Sequence, residues 1–387
     1  MRNWVTSLGL IGFLLGGSLP ASGEPAFPEP LPTEQIMQFR NLPYPLPAQW
    51  VYVDMLGPER VELIDPTVPA PRHVKGMIGA SYVANFLAGT ARNELYVAET
   101  FFSRRPRGVR TDVVSIYDSK TMAPLTEIEL PARKRVLQVM LPNAFQFTDQ
   151  ERMGLVFNFT PASSVSVLDL PNRKVLGEVP TPGCALIYPS GKRGFASLCS
   201  DGTMLAVTLD EKGEVLSQST SRKINDLDKD PLFSTPAVYG QQNYFVSFLG
   251  TVQPVDLSGE TPAPGEPWSL VDARDSRKNW RPSGHQLAAL DRDGKLYVIM
   301  QENGREGSHK DGGTEVWIFD TAAKKRIARV KLSGLSQSIA VSAEVSSLYV
   351  TGAAANLERY DTRSGKLLSS QAINSFGAQT VIVPVGQ

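Results

Sequence analysis

The residues with chemical potential in this chain are three histidines, two cysteines and scattered carboxylates. His73, His285 and His309 form no H-x-H or H-E-x-x-H pair and are read as lying in different repeat units. A surface or hydrogen-bonding role suits each better than metal ligation, unless a central channel gathers them. There is no G-x-S-x-G elbow, Walker loop or Rossmann fingerprint in the mature chain. No residue is therefore assigned a catalytic, cofactor-binding or metal-binding role. Cys184 and Cys199 are separated by 14 residues and have no nearby histidine, too few ligands for a zinc site. In an exported chain they read as a disulfide, with two free buried thiols as the alternative.

Three irregular stretches hold the remaining candidates. Phe101–Asp112 carries Arg104, Arg105, Arg107 and Arg110 beside aromatics, the composition of a protein-docking edge or of a solvated hairpin loop. Asp272–Gly284 places Trp280 in a polar, proline-containing loop, as an interface anchor or a local packing residue. Gln301–Thr314 is long and glycine-rich and includes His309 and Lys310. It could approach a partner closely, although flexibility alone would explain its composition.

The elements that carry these stretches are strands. Thr314–Val330 alternates apolar with polar residues, turns at Asp320-Thr321 and alternates again, the pattern of a β-hairpin. Similar units turn at Asp65, Asp118, Asp169, Asp210, Asp256 and Asp361. The aspartates lie 41 to 64 residues apart, within the range of four-stranded propeller blades. Short carboxylates bond nearby amides, so a turn role accounts for them without catalysis. The spacing predicts an all-β, seven-bladed β-propeller over residues 48–387. Trp50–Asp54 is expected to share a blade with Gln379–Pro384 and close the ring.

The N-terminus reads differently. Arg2, the apolar run Val5–Leu15 and the small residues Ala21-Ser22-Gly23 make residues 1–23 a signal peptide. The run is too short to favour an uncleaved membrane anchor. Residues 24–47 form a proline-rich arm. No later run suits a transmembrane helix, so an exported, periplasmic protein without a membrane span is expected. The charge balance, 39 basic against 39 acidic residues, gives no push toward nucleic acid.

Several stretches together resemble the heavy, or large, subunit of the quinoprotein amine dehydrogenases, the methylamine and aromatic-amine dehydrogenases. They include Phe102-Ser103-Arg104 with Arg107-Gly108-x-Arg110-Thr111-Asp112, Phe159-x-Pro161-Ala162, Gly183-Cys184 and Cys199-x-Asp201-Gly202. Asp230-Pro231-Leu232-Phe233, Pro267-Trp268-Ser269-Leu270, Lys278-Asn279-Trp280-x-Pro282-x-Gly284 and Glu306-Gly307-x-His309-Lys310 continue the pattern. The resemblance runs from about Trp50 to the C-terminus and rests on shared order and spacing. Gly265–Lys310 looks closer to the aromatic-amine branch, and the cysteine spacing closer to the methylamine branch. Ser283 stands where the family usually has glycine, and Asp291 where it usually has histidine.

The resemblance implies a seven-bladed propeller that carries no cofactor itself. Its partner would be a small, disulfide-rich light subunit bearing tryptophan tryptophylquinone, in a complex of two heavy and two light chains. That complex would oxidise a primary amine to an aldehyde and ammonia, and pass electrons to a blue copper protein such as amicyanin or azurin. Cys184 and Cys199 match the family's heavy-chain disulfide. Phe102 matches a phenylalanine near the substrate channel. Arg104, Arg107, Arg110, Trp280, His309 and Lys310 are the candidate docking residues. The alternative is a stand-alone exported propeller, a ligand-binding module or a lactonase-like enzyme, with no light chain.

Overall fold

Each predicted hairpin forms in the computed structural model, which describes residues 41–81, 83–342, 344–373 and 380–386. The signal segment and the arm up to residue 40 lie outside the described residues. The aspartate at each hairpin turn accepts backbone amides two to four residues on, as short carboxylates do. Asp118 takes the amides of Lys120 and Thr121 at 2.9 and 2.8 Å, and Asp210 those of Lys212 and Glu214, each at 2.8 Å. The hydroxyl and amide of Ser364 hold the Asp361 carboxyl below its usual range. These carboxylates are committed to turns.

The described chain is almost entirely strand. Helix is confined to Ala273–Arg277 and two single turns at Pro142–Ala144 and Ser308–Lys310. The strands are arranged as a β-propeller, but not as seven separate blades. Five sheets of four or five strands stand as separate blades, and a sixth sheet is continuous over eight strands. The cause is the strand Lys325–Val341, 17 residues long. Its first part pairs with Gly313–Asp320 and its last part with Ser347–Gly352. Counting hairpins in the sequence cannot reveal that one unit's outer strand runs unbroken into the next unit's inner strand.

Closure follows the expected route. Val51–Met55 pairs antiparallel with Thr380–Pro384, Val51 opposite Pro384 and Met55 opposite Thr380. Gln379 lies outside the described residues. Neighbouring sheets are joined by aromatic contacts, each worth about 0.5–1.5 kcal/mol beyond the area buried. Tyr52 meets Phe86 at 5.0 Å, Tyr96 meets Phe147 at 5.3 Å and Tyr188 meets Phe245 at 5.1 Å.

Antiparallel order fixes which loops share a face. In each blade the turn between the second and third strands emerges at the same end as the passage to the next blade. The hairpin tip between Glu94–Arg104 and Arg107–Asp118 therefore shares a face with residues 302–312 and with the passages near 130–144, 221–236 and 270–287. An ion pair between Arg105 and Glu59, itself in such a turn, agrees with this placement. The aspartate turns occupy the opposite face.

Candidate functional site

The loop-bearing face is built around an extended hairpin and an axial hollow. The hairpin strands run 11 and 12 residues, about twice the length of most others. Past Thr100 the side chains leave the core: Phe101 is 46% exposed and Val109 63%. Phe102 is half-buried and lies opposite Arg110. Arg104 and Arg107 are exposed at the tip and make no ion pair among the described residues. Arg110 is not free to dock. Its Nε donates to Asp112 Oδ1 at 2.8 Å and its Nη2 to the Arg135 carbonyl at 2.6 Å. It braces the hairpin from within.

The hollow, of about 430 Å³, is walled by Leu141, Phe233, Thr235, Gln337 and two histidines, His285 and His309. The structure thus brings together two histidines that were expected in different blades; both belong to loops of the eight-stranded sheet. His73 is elsewhere, its Nε2 3.0 Å from the Ala372 carbonyl. Burial lowers the His285 pKa against a bond to the Met140 backbone, so the ring is neutral near pH 7. Its Nε2 is sealed and has no protein partner. The His309 ring stacks on Phe248 at 4.4 Å and 22°. Burial lowers its pKa too, with Lys310 adding to the effect. Lys310 itself is exposed. No group of three or more His, Cys, Asp or Glu side chains gathers as a metal site among the described residues.

Backbone conformation brings these loops close. Gly284 has φ +139°, and a Cβ there would stand 2.7 Å from the Gln337 carbonyl oxygen, so only glycine fits. The neighbouring Ser283 is fully buried and bonds two segments of the 302–312 loop. A glycine at this position could make neither bond. Asp291, the other departure, lies in a turn on the opposite face and accepts from Asp293 N, Lys295 N and Tyr297 Oη.

Of the two roles open to Trp280, interface anchor and local packing residue, its surroundings match the second. It is 5% exposed and meets Trp317 at 5.0 Å, with the Arg329 guanidinium 4.7 Å over its ring. A ring this apolar was drawn inward and supports the loop from beneath. The exposed apolar side chains on this face are instead Phe101, Val109, Phe159, Leu227, Leu249 and Leu335. Large apolar groups exposed on one face are candidates for a contact surface when they lie close together. Arg135 was missed altogether, because the run Ala132-Arg133-Lys134-Arg135 reads as a solvated basic stretch. The sulfurs of Cys184 and Cys199 are bonded, joining directly opposed residues of adjacent strands.

Comparison with known proteins bears on what this face serves. A family model of the methylamine dehydrogenase heavy chain (MADH) matches residues 63–385. The methylamine dehydrogenase heavy chain of Methylophilus methylotrophus is 27% identical over 299 residues, 76% of this chain and 73% of that protein. The protein of the same name from Methylorubrum extorquens is 27% identical over 315 residues, 80% of this chain and 76% of its own length. That from Paracoccus versutus is 26% identical over 301 residues, 77% of this chain and 70% of its own length. Among solved structures, dihydro-heme d1 dehydrogenase NirN in complex with DHE aligns with a TM-score of 0.54 at 11% identity, covering 90% of this chain and 77% of that one. A chain of the mitotic checkpoint complex aligns with a TM-score of 0.51 at 12% identity, covering 95% and 91%. At those identities the likeness is one of fold alone.

Proposed function

The chain belongs to the methylamine dehydrogenase heavy chain family, and from that premise we propose that it is the non-catalytic heavy subunit of a periplasmic amine dehydrogenase. The complex would oxidise a primary amine to an aldehyde and ammonia and pass electrons to a blue copper protein such as amicyanin or azurin. The partner is a small, disulfide-rich light chain, in a complex of two heavy and two light chains. The observation that carries this reading is the loop-bearing face. There, exposed Phe101, Phe159 and Leu249 accompany Arg104 and Arg107, which make no ion pair among the described residues, on the same face as the hollow that His285 and His309 line. Apolar groups bordered by arginine are what a stable protein interface uses.

Tryptophan tryptophylquinone would belong to the light chain, where it supplies the electron acceptor for amine oxidation. The residues of this chain fit a supporting role toward it. His285 is neutral with a sealed, unpartnered Nε2, and half-buried Phe102 offers an apolar wall. A neutral, partly apolar surface favours an uncharged amine over its ammonium form, because a desolvated charge without a partner is costly. Phe102 is the residue we place at the substrate channel.

Co-expression with a candidate light chain tests the reading. The complex is expected to reduce an artificial electron acceptor only when amine is added. Comparing methylamine with tryptamine would identify the substrate branch. A well-folded complex that oxidises no primary amine would overturn it.

A further inference from the structure

Arg135 occupies an unusual position for so polar a side chain. It is 2% exposed, and each of its three guanidinium nitrogens donates a hydrogen bond. Nε and Nη2 donate to the Thr100 hydroxyl at 3.1 and 3.0 Å. Nη1 donates to the Val83 carbonyl at 2.9 Å and to Asn85 Oδ1 at 3.2 Å. The Thr100 hydroxyl in turn donates to Asp112 Oδ1 at 2.6 Å. Thr100 and Asp112 face each other at the base of the extended hairpin. Asn85 begins the inner strand of the same blade, Asn85–Gly89, Val83 lies in the turn just before it, and Asn85 Nδ2 donates to the Leu141 carbonyl at 2.9 Å. Leu141 walls the axial hollow.

One side chain thus connects the hairpin base to the wall of the hollow. Burying a guanidinium is expensive unless every donor is used and an anion is close. Asp112 supplies the anion, and Glu99 adds to it. Val83 strengthens the case for a positioning role. It has φ +53°, a conformation that a β-branched residue adopts only when its surroundings impose it. The carbonyl of that residue is one of the Arg135 acceptors.

We propose that Arg135 is a positioning residue for the Phe102 hairpin: it fixes the hairpin's angle relative to the Leu141 wall of the axial hollow and so sets how tightly the amine is held. The role is geometric. Lysine would keep the charge but could not span Thr100, Val83 and Asn85 at once, because a single ammonium lacks the planar fork. The part of this inference that concerns the amine rests on the heavy-subunit reading.

The test uses the heavy–light complex carrying Arg135→Lys, Thr100→Val or Thr100→Ser. Two measurements are made: steady-state amine oxidation, and hydrogen–deuterium exchange of peptides covering residues 99–112. With Arg135→Lys and Thr100→Val, KM is expected to rise about tenfold with kcat within about twofold, the pattern of lost uniform binding. Exchange at the hairpin should quicken, while the aspartate turns stay unchanged. Thr100→Ser keeps the hydroxyl and should restore both. If Arg135→Lys does not fold, Thr100→Val and Thr100→Ser decide the matter. Unchanged KM and unchanged exchange in the folded variants would overturn the proposal. If the wild-type complex oxidises no amine, the heavy-subunit reading fails, and the exchange measurement alone judges the positioning role.

Discussion

The Ser283 hydroxyl donates to the Ser308 carbonyl at 2.8 Å and so holds the 278–284 segment against the 302–312 loop. The same oxygen accepts the Gly312 amide at 2.9 Å. Both loops border the axial hollow, so this residue sets their separation.

Replacing Ser283 with alanine would strand the Gly312 amide, while the Ser308 carbonyl would keep its bond from the Asp311 amide at 3.0 Å. The cost is about 1–3 kcal/mol, the usual penalty for stranding buried polar groups. Denaturant unfolding of the isolated chain should show it as a lower midpoint at an unchanged slope. A midpoint equal to that of wild type would mean the loops are held by other contacts.

Asp54 and Glu99 form a buried acidic pair. Burial raises both carboxyls above their ordinary values of 3.8 and 4.5, and the Glu99 charge raises Asp54 further. The folded chain therefore keeps protons that the unfolded chain releases as pH rises past those values. The pair's contribution is most favourable below about pH 4 and is lost as pH climbs toward the folded-state values. Asp54→Asn should gain stability relative to wild type as pH rises above the ordinary carboxylate range, because the wild-type chain must then either keep a proton or bury a charge. Thermal unfolding of both proteins across and above that range checks it; parallel curves would show that Asp54 is not proton-linked to folding.

Phe101 and Phe159 are solvent-exposed in the isolated chain, so their removal should not disturb its fold. Phe101→Glu with Phe159→Glu is expected to leave Tm nearly unchanged while weakening light-chain association by about 2 kcal/mol or more, roughly thirtyfold, as loss of aromatic anchors does. Quantitative pull-down with the light chain measures this. Undiminished association would move the interface to another face.

Much of this architecture was legible in the chain. The hairpins announced themselves through period-two alternation around Asp118, Asp169, Asp210 and Asp361, and a short carboxylate at a turn acts within a few residues of itself. The pairing of Val51–Met55 with Thr380–Pro384 was legible because both segments are apolar strands lacking a local partner. Blade separation was not, since it depends on whether the backbone breaks within Lys325–Val341, and the strand runs unbroken through Ser333-Gly334. Site residues were harder. Trp280 sits in a polar sequence neighbourhood, yet Trp317 and Arg329, distant in the chain, draw it inward. Arg135 looks solvated among its basic neighbours, and only the three-dimensional meeting of Thr100, Val83 and Asn85 gives its guanidinium a buried place.

The most direct test of the heavy-subunit reading is affinity purification of the tagged full-length chain from cells that naturally produce it, followed by mass analysis and visible absorption. The expected result is a small, cysteine-rich chain in equal amount, with a quinone absorbance that changes when a primary amine is added. Recovery of the folded chain alone, with a ligand or metal in the hollow beside His285 and His309 and no quinone-bearing partner, would contradict it.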